Sequence, residues 1–415
     1  MPVTVTRGAR RDDHLMDFGN GLGHLSYSTL VHAGDTWAEM RASLETFLPQ
    51  VKERVSPDSP FGVSLRISAE SARTLTDDPA ERARLRTFLD DHDLYVYTVN
   101  AFPYGPFKGD SVMERVYEPD WTTDDRVVYT CQVADILAEI APAHISPSIQ
   151  TAPLAFRPRV TDEAYIELFT TQLLRVVAHL IDLERRTGRR VKLALEPEPA
   201  CFLESTAETV DYFARRLYAP DGIQELARLA SVPISEAEGL MRRHLGVVFD
   251  IGHQSVGFED IPASLRSLVD AGIPIFKLQA AAALWVEHLT VDQVPALREF
   301  TDTIYLSQTT LRRPDGPVEK FLNLGEALDA FENDPGPAEM RTHFHVPVFL
   351  EEIGPFRTTR FAVQEAFRMH RASPLSDHLE IETYTWDVLP AHLKTGDITD
   401  YVTRELAFVR DELVG

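Results

Sequence analysis

The chain is poor in cysteine and has no long apolar segment. Its 415 residues include two cysteines, Cys131 and Cys201, which are too few for a disulfide framework in a chain of this length. No apolar run reaches the roughly 20 residues that a membrane-spanning helix needs. Residues 1–22 contain arginines but no apolar stretch typical of a secretory signal. We therefore expect a cytoplasmic protein without a transmembrane segment.

Basic residues are also scarce. The sequence has 41 Lys and Arg against 64 Asp and Glu, a formal net charge of −23, and no long basic run offsets it. Because nucleic-acid binding normally needs a basic surface, this charge argues against a nucleic-acid partner. It argues equally against docking on an anionic membrane. We expect a small-molecule metabolite as the partner.

Several common cofactor and catalytic motifs are missing. The sequence contains neither a phosphate-binding loop nor a nucleophile elbow. The glycines of residues 19–24 precede a strand-like segment instead of opening a helix, so they do not form a dinucleotide-binding fingerprint. The chain does contain 44% hydrophobic residues, which is enough to bury a large core.

Strand-like and helix-like segments alternate along the chain after residue 22. Such alternation is typical of parallel β/α architecture. The predicted strands cover residues 24–29, 62–68, 95–100, 144–151, 191–199, 246–253, 273–280 and 378–386. Eight such units close into a (β/α)8 TIM barrel, which is the fold that we predict.

Two segments do not fit the eight-unit repeat. A helical piece at about 219–244 and the long stretch at about 282–377, which follows strand seven, are predicted to be insertions. The second insertion contains two further strand-like runs, which we expect to pair over the barrel mouth; a two-domain arrangement is the alternative. The predicted organisation is a flexible arm over residues 1–22 and a single barrel domain over 23–415.

Alternating histidines and glutamates stand out near the end of the chain. Because side chains on a strand point alternately to opposite faces, His343 and His345 share one face, as do Glu380 and Glu382. Imidazoles and carboxylates that face one enclosure indicate a metal or acid/base site. A solvated face of an antiparallel sheet is the ordinary alternative.

The last inward-facing residue of each barrel strand is the place to look for chemistry, since barrel enzymes carry it at the carboxyl ends of their strands. Alternation places Glu196, Asp250, Gln279 and Glu382 there, with His345 as a fifth group from the insertion. Carboxylates packed together repel unless a cation or protons neutralise them. We therefore predict a divalent metal, Mg²⁺, Mn²⁺ or Zn²⁺, held by these five residues.

A salt-bridged barrel interior is the competing interpretation of the same residues. Lys192 and Lys277 also point inward, and each buried ammonium needs a carboxylate. We assign Glu380, the deeper of the two glutamates, to that structural role.

Other strand ends and one loop supply candidate substrate-binding groups. A planar guanidinium binds phosphate or carboxylate in bidentate fashion, and aromatic rings in a proline-restricted loop suit an apolar or ring-containing ligand. The predicted substrate-binding residues are Arg66, Asn100, Phe102, Tyr104, Gln150 and His343. Structural ion pairing of Arg66 and simple packing of the loop are the alternatives.

The pattern of Glu196, Asp250, His253 and Glu382 resembles the xylose-isomerase-like TIM barrels, a superfamily of sugar isomerases and epimerases. The resemblance implies that such residues hold a divalent metal, and that two glutamates shuttle a proton at a sugar carbon. One departure is Gln279, because the sugar isomerases usually present a histidine at strand seven. Either Gln279 is a weaker oxygen ligand, or His345 enters the site from the insertion, or the metal site has been lost; of these we expect the second.

Longer motifs resemble a more specific family, the metabolite traffic proteins of the EboE type. They lie at residues 23–27, 94–105, 195–199, 343–347 and 379–390, so the resemblance spans nearly the whole chain after the arm. It implies a role in moving a secondary-metabolite precursor, with other products of the ebo gene cluster as partners.

Two hypotheses follow. In the first, the chain is a metal-dependent, isomerase- or epimerase-like enzyme in which Glu196 and Glu382 are catalytic and His253 orients the substrate. In the second, it is a non-catalytic carrier or scaffold that binds the precursor and passes it to partner proteins. The carboxylate cluster favours the first, whereas the missing histidine at strand seven favours the second.

Overall fold

The structure is a computed structural model. It describes residues 16–18, 21–107, 112–301, 304–385, 389–394 and 396–415. Strands in this part of the chain are β1 His24–Tyr27, β2 Phe61–Arg66, β3 Leu94–Asn100, β4 Ser148–Thr151, β5 Lys192–Leu195, β6 Leu245–Asp250, β7 Ile275–Ala280, β8 Ala282–Val286, β9 Thr309–Arg312, β10 Val318–Phe321, β11 Glu339–Val346, β12 Glu352–Ile353, β13 Phe356–Thr358 and β14 His378–Ile381.

The helices lie mainly between the strands. They are α1 Trp37–Val55, α2 Ala69–Asp77, α3 Pro79–Asp91, α4 Asp124–Ile140, α5 Glu163–Thr187, α6 Thr206–Tyr212, α7 Pro220–Ala230, α8 Ile234–His244, α9 Ile251–Val256, α10 Ile261–Asp270, α11 Val294–Leu297, α12 Leu324–Asn333, α13 Arg360–Ala372 and α14 Ile398–Val414. Helix α1 begins with a capping box between Thr36 and Glu39, which satisfies two free backbone N–H groups.

Eight strands form one parallel sheet in the order β1-β14-β7-β6-β5-β4-β3-β2. A parallel bridge between Ser28 and Ser64 links the first and last strands of this order. The sheet therefore closes into the predicted barrel, with β14 as its eighth strand. Register fixes which side chains meet inside, since Gln279 pairs with both Asp250 and Glu380.

A second sheet lies within the long segment between β7 and β14. Its six strands run in the order β10-β9-β11-β8-β13-β12, and all of their pairings are antiparallel. Strand β11 is central, paired with β8 on one side and β9 on the other. Alternation along β11 turns Phe344 against Phe300, while His343 and His345 face the opposite way, towards His253 at the barrel mouth.

Three local features bear on the expectations from sequence. His253 lies on the short helix α9 and not in a loop after β6, because Asp250 accepts the backbone N–H of His253 and so begins that helix. Of the predicted arm, the structure describes residues 16–18 and 21–22, where Met16 is fully buried and Asp17 pairs with His24, while residues 1–15 and 19–20 lie outside the described residues. The helical insertion consists of two helices, α7 and α8.

Helix α5 is long and apolar enough to cross a membrane by length and composition, and it is the one such helix among the described residues. Of its most apolar window, 56% is buried inside the protein. It packs against α4 and α7. This is the behaviour of a core helix in the outer layer of a barrel.

Candidate metal and acid/base site

Three buried carboxyl groups meet at the carboxyl ends of the barrel strands. Glu196 directly follows β5, Asp250 ends β6, and Glu382 directly follows β14. Their exposed fractions are 1%, 0% and 4%. One oxygen of Glu196 and one of Asp250 lie, with a ring nitrogen of His253, within 4.8 Å of one another.

Burial and mutual repulsion favour the protonated forms of these carboxyl groups. Burial raises the pKa of Glu196 well above its ordinary value, and the charges of Glu382 and Asp250 raise it further. The pKa of Glu382 is likewise raised, by burial first and then by Glu380 and Asp250. Burial raises the pKa of Asp250 to about 6, although His345 acts in the opposite direction. A cation bound between them would favour the ionised forms instead.

Three buried histidines converge beside the carboxyl groups. His253 is on α9, whereas His343 and His345 are on β11. The Nε2 atom of His343 is 3.2 Å from that of His253 and 2.9 Å from that of His345. All three Nε2 atoms therefore face a common point.

The other ring nitrogen of each histidine contacts an oxygen atom. These contacts are Nδ1 of His253 with the Pro197 carbonyl at 3.0 Å, Nδ1 of His343 with Oε1 of Gln308 at 2.7 Å, and Nδ1 of His345 with the Glu382 carbonyl. A carbonyl oxygen only accepts hydrogen bonds. Each Nδ1 therefore carries a proton and donates it.

The histidines are neutral, which leaves three lone pairs directed at one another. Burial lowers the pKa of His253 and of His345 to about 4, and it lowers that of His343 well below its ordinary value. With one proton on each Nδ1, all three Nε2 atoms are unprotonated. Close lone pairs repel unless a cation lies between them, and fixing Nδ1 by an oxygen is how proteins orient metal-ligating histidines.

The donor set fits a divalent metal. Imidazole nitrogens at 2.0–2.1 Å from a tetrahedral ion are about 3.4 Å apart, close to the two Nε2 separations above. Oε1 of Glu196 and Oδ2 of Asp250 are buried without a hydrogen-bond partner, and both residues form a second possible ligand group with His253, the residue that the two groups share. His253, predicted to orient substrate, and His343, predicted to bind it, thus join His345 as the best-placed nitrogen ligands.

Gln279, the predicted strand-seven ligand, makes a structural contact below this cluster. Its Nε2 donates to Glu380 at 3.0 Å, and it does not line the cavity described below. Lys277 donates to the other oxygen of Glu380 at 3.0 Å, and both partners of this ion pair are fully buried. The sequence analysis assigned Glu380 to a buried lysine, and the structure shows this ion pair between Glu380 and Lys277.

Two amides hold the outer glutamates in place. Nε2 of Gln150 donates to Glu196 at 2.5 Å, and Nδ2 of Asn100 donates to Glu382 at 2.9 Å. Lys277 in turn donates to Oε1 of Gln150 at 2.6 Å. Because the amides are fixed by the barrel, each carboxyl group presents its second oxygen in a defined direction.

A partly open cavity lies above the cluster. Glu196, Glu382, His253 and His343 form its polar floor, and no Lys or Arg is among the described residues that line it. Its walls are mainly apolar and aromatic, and they include Leu30, Phe102, Pro103, Phe107, Val112, Met113, Val116, Tyr117, Tyr305, Leu306 and Tyr384. The cavity therefore suits an uncharged, largely apolar molecule with one polar end.

Two predicted substrate residues do not reach this cavity. The Arg66 guanidinium donates to the Gly34 carbonyl at 2.6 Å, to Asp35 at 2.9 Å and to the Gly105 carbonyl at 3.0 Å, so its donors tie two loops to the barrel. Tyr104 packs edge-on against Tyr129, at 5.2 Å between ring centroids. By contrast, Asn100, Phe102, Gln150 and His343 do line it.

Several residues of the site were missed at the level of sequence. Burial raises the pKa of Glu198 to about 8, and this residue accepts a hydrogen bond from Tyr117 at 2.9 Å. The signal that could have found Glu198 is strand alternation, because it lies two residues after Glu196 and therefore on the same face. No local pattern indicated Gln308, which comes to His343 only through the pairing of β9 with β11.

No family model matches the chain, and no curated protein matches it. Among solved structures, it is similar to a xylose isomerase-like TIM-barrel protein from Mycobacterium smegmatis in complex with magnesium (10% identity, 94% of this chain and 96% of that one, TM-score 0.46). It is also similar to the IOLI protein with a bound zinc atom (10% identity, 94% and 97%, TM-score 0.46). A third is the probable 3-DHS dehydratase AsbF of Bacillus anthracis (12% identity, 92% and 97%, TM-score 0.42).

Proposed function

We propose that this barrel binds a divalent metal at its mouth and performs isomerase- or epimerase-like chemistry on a small, largely apolar metabolite. The observation that carries the proposal is the convergence of three neutral imidazoles, each oriented through Nδ1, on one point beside buried carboxyl oxygens without partners. No combination of hydrogen bonds among these lone pairs satisfies them, whereas one cation does.

The residues that would hold the metal are His253, His343 and His345, with Asp250 or Glu196 as the oxygen ligand. A site rich in imidazole favours Zn²⁺, or Mn²⁺ and Co²⁺, over Mg²⁺, which prefers oxygen ligands. When bound, such an ion polarises a carbonyl or hydroxyl oxygen of the substrate. The ligand set therefore differs from the sequence-based one by the gain of His253 and His343 and by the loss of Gln279 and Glu382.

Glu196 and Glu382 are the groups that would move a proton. Each is held by an amide, faces the cavity and has a raised pKa. A carboxyl group whose pKa is raised by burial and by neighbouring carboxylates holds its proton more readily and can serve as a general acid, and its ionised form can serve as a general base. One glutamate would accept a proton from a carbon next to the polarised oxygen, and the other would return a proton to the neighbouring position or opposite face.

The walls of the cavity define the substrate class. Phe107, Tyr305 and Tyr384 pack against one another and form part of the cavity wall, so a ligand seated against them would limit the access of water to the proton-transfer site. Without a Lys or Arg among the described lining residues, a phosphate-bearing sugar has no counter-charge there. The substrate would instead be uncharged, with a hydroxyl or carbonyl group at one end.

A carrier function is the second candidate, and the aromatic enclosure together with the structural role of Gln279 favours it. The EboE-type role, metabolite traffic with partners from the ebo cluster, remains a prediction of this kind, as does a cytoplasmic location. A carrier and an enzyme differ in whether the bound ligand exchanges protons with solvent.

Metal analysis of the purified protein tests the metal site. We expect about one Zn²⁺ or Mn²⁺ per chain after dialysis, and less than about a tenth of that in His343→Ala, because the remaining donors no longer enclose the ion. His92→Ala, which changes an exposed histidine far from the site, is the matched control. Equal metal content in His343→Ala and wild type would refute the site.

Deuterium exchange separates enzyme from carrier. Small molecules that co-purify with the protein are identified by native mass spectrometry, returned to it in heavy water and extracted again. An enzyme introduces one carbon-bound deuterium, and Glu196→Gln abolishes that gain while still binding the ligand. Tight binding with no exchange in the metal-loaded wild type would assign the carrier function.

A further inference from the structure

A second polar cavity lies at the opposite end of the barrel. It is open to solvent and is lined by residues at or just before the first residues of β4, β5, β6, β7 and β14. It is lined by four basic side chains (Arg190, Lys192, Arg242 and Arg243) and by one carboxylate, that of Asp377. In a chain with a net charge of −23, this concentration of cations is unusual.

Lys192 is the group for which the fold supplies no partner. It is 7% exposed, and among the described residues no hydrogen bond or ion pair to its ammonium is found. Its Nζ atom lies 5.1 Å from the centroid of the Phe276 ring. Lys277, the other inward-facing lysine, bonds instead to Glu380 and Gln150. Lys192 lines the cavity, so its mostly buried ammonium is open to solvent or to a ligand from that side alone.

The surroundings of Lys192 leave its charge largely uncompensated. Burial lowers its pKa to about 8, and Arg190 adds to this, while Asp377 acts in the opposite direction without forming an ion pair. His24 and His378 also face it, and both have lowered pKa values, chiefly through burial. Neutral imidazoles provide no negative charge, so the ammonium lacks an anion.

The arginines at the rim are already anchored. Arg190 pairs with Glu184 at 3.2 Å, and Arg243 pairs with the same carboxylate. Arg242 pairs with Glu238 at 2.7 Å and donates to the Gly272 carbonyl at 2.6 Å. These ion pairs hold the arginines around the cavity, where they add positive potential but supply no counter-charge to Lys192.

We propose that this cavity binds a small oxyanion, a phosphate or carboxylate group, with the Lys192 ammonium as its central partner. The anion would occupy the position of the missing counter-charge, and the rim arginines would attract it. The site is separate from the barrel mouth and does not depend on the function proposed there. It suits the acidic group of a regulatory or allosteric metabolite, while the mouth takes an uncharged one.

Isothermal titration with sulfate and with acetate tests the proposal, because neither ion titrates near pH 8. We expect saturable binding of at least one, with tighter sulfate binding indicating a phosphate-type ligand and tighter acetate binding a carboxylate-type ligand. Lys192→Met should weaken binding about tenfold to a hundredfold, the range for charge-assisted hydrogen bonds. Lys320→Met, which removes an exposed lysine paired with Glu204, should leave binding unchanged.

Proton linkage provides an independent measurement on the native protein. An anion raises the pKa of Lys192, so at pH 8 binding should take up as much as about half a proton per anion. Lys192→Arg should bind the anion without this uptake, since arginine does not titrate in that range. Absence of saturable binding in wild type, or equal binding by wild type and a folded Lys192→Met protein, would overturn the proposal.

Discussion

The barrel interior and the barrel mouth both bury charge-bearing side chains, but they satisfy them differently. In the interior, Glu380 meets Lys277 and the amide of Gln279. At the mouth, the facing lone pairs of three histidines and the free oxygens of Glu196 and Asp250 have no partner in the fold. The interior thus pairs its charges within the fold, although Oε1 of Gln279 is also buried without a partner, whereas the donors clustered at the mouth are left for an external ligand.

Breaking the interior pair should have the largest effect. Glu380→Gln leaves the Lys277 ammonium buried without a counter-charge, and we expect the free energy of unfolding to fall by about 3–5 kcal/mol. Denaturant unfolding measures this loss. Glu382→Gln is the matched control, because it alters a glutamate two residues away that forms no ion pair with a lysine in the described structure, and it should reduce deuterium exchange into the ligand with little change in stability. Equal responses of the two variants would contradict the division between interior and mouth.

Glu405 is a third kind of buried carboxyl group, because it accepts hydrogen bonds but forms no ion pair within the described part of the chain. It accepts from Val348 N at 3.1 Å and from Thr383 Oγ1 at 2.6 Å, and burial raises its pKa to about 7. The unfolded chain ionises this group near pH 4.5, so the folded state loses stability as pH rises from there to about 7, by at most roughly 1.4 kcal/mol per pH unit.

Glu405→Gln should remove that dependence while keeping both hydrogen bonds. Between pH 4.5 and pH 8, the free energy of unfolding of the variant should rise relative to that of wild type by about 2–3 kcal/mol. Thermal unfolding across this range measures the difference, and Glu412→Gln on the same helix serves as a control. Parallel pH profiles for Glu405→Gln and wild type would show that Glu405 is ionised in the folded protein.

The next largest effect should come from removing the residue that orients His343. Gln308→Met removes the oxygen that orients His343, which frees the ring to place its proton on Nε2. We expect metal affinity to fall about tenfold to a hundredfold, the usual effect of losing such support. Competition with a chelator measures the affinity. Gln364→Met, which removes a contact with Glu412 instead, should leave it unchanged, and unaltered affinity in Gln308→Met would reject the tautomer argument.

Sequence reasoning reached the barrel and much of its mouth because both depend on short-range alternation. Strand periodicity alone placed Glu196, Asp250 and Glu382 at the same end of a closed sheet. It did not predict that Asp250 would begin a helix and turn His253 inwards, since that depends on one side-chain hydrogen bond. Arg66 was misplaced because its partners, Asp35 and Gly105, come from loops whose paths no local pattern fixes.

The smallest expected effect has the opposite sign to the first. Glu196 is buried beside Glu382 and Asp250, and both raise its pKa, so the metal-free fold gains nothing from its charge. Glu196→Gln keeps the shape and the contact with Gln150 while removing that repulsion. We expect the metal-free variant to be more stable than metal-free wild type by roughly 1 kcal/mol at pH 8, as measured by denaturant unfolding in the presence of chelator. Adding metal should reverse the order, because only wild type has the carboxylate to bind it. A Glu196→Gln protein that is as destabilised as Glu380→Gln would mean that the mouth is scaffold, like the interior.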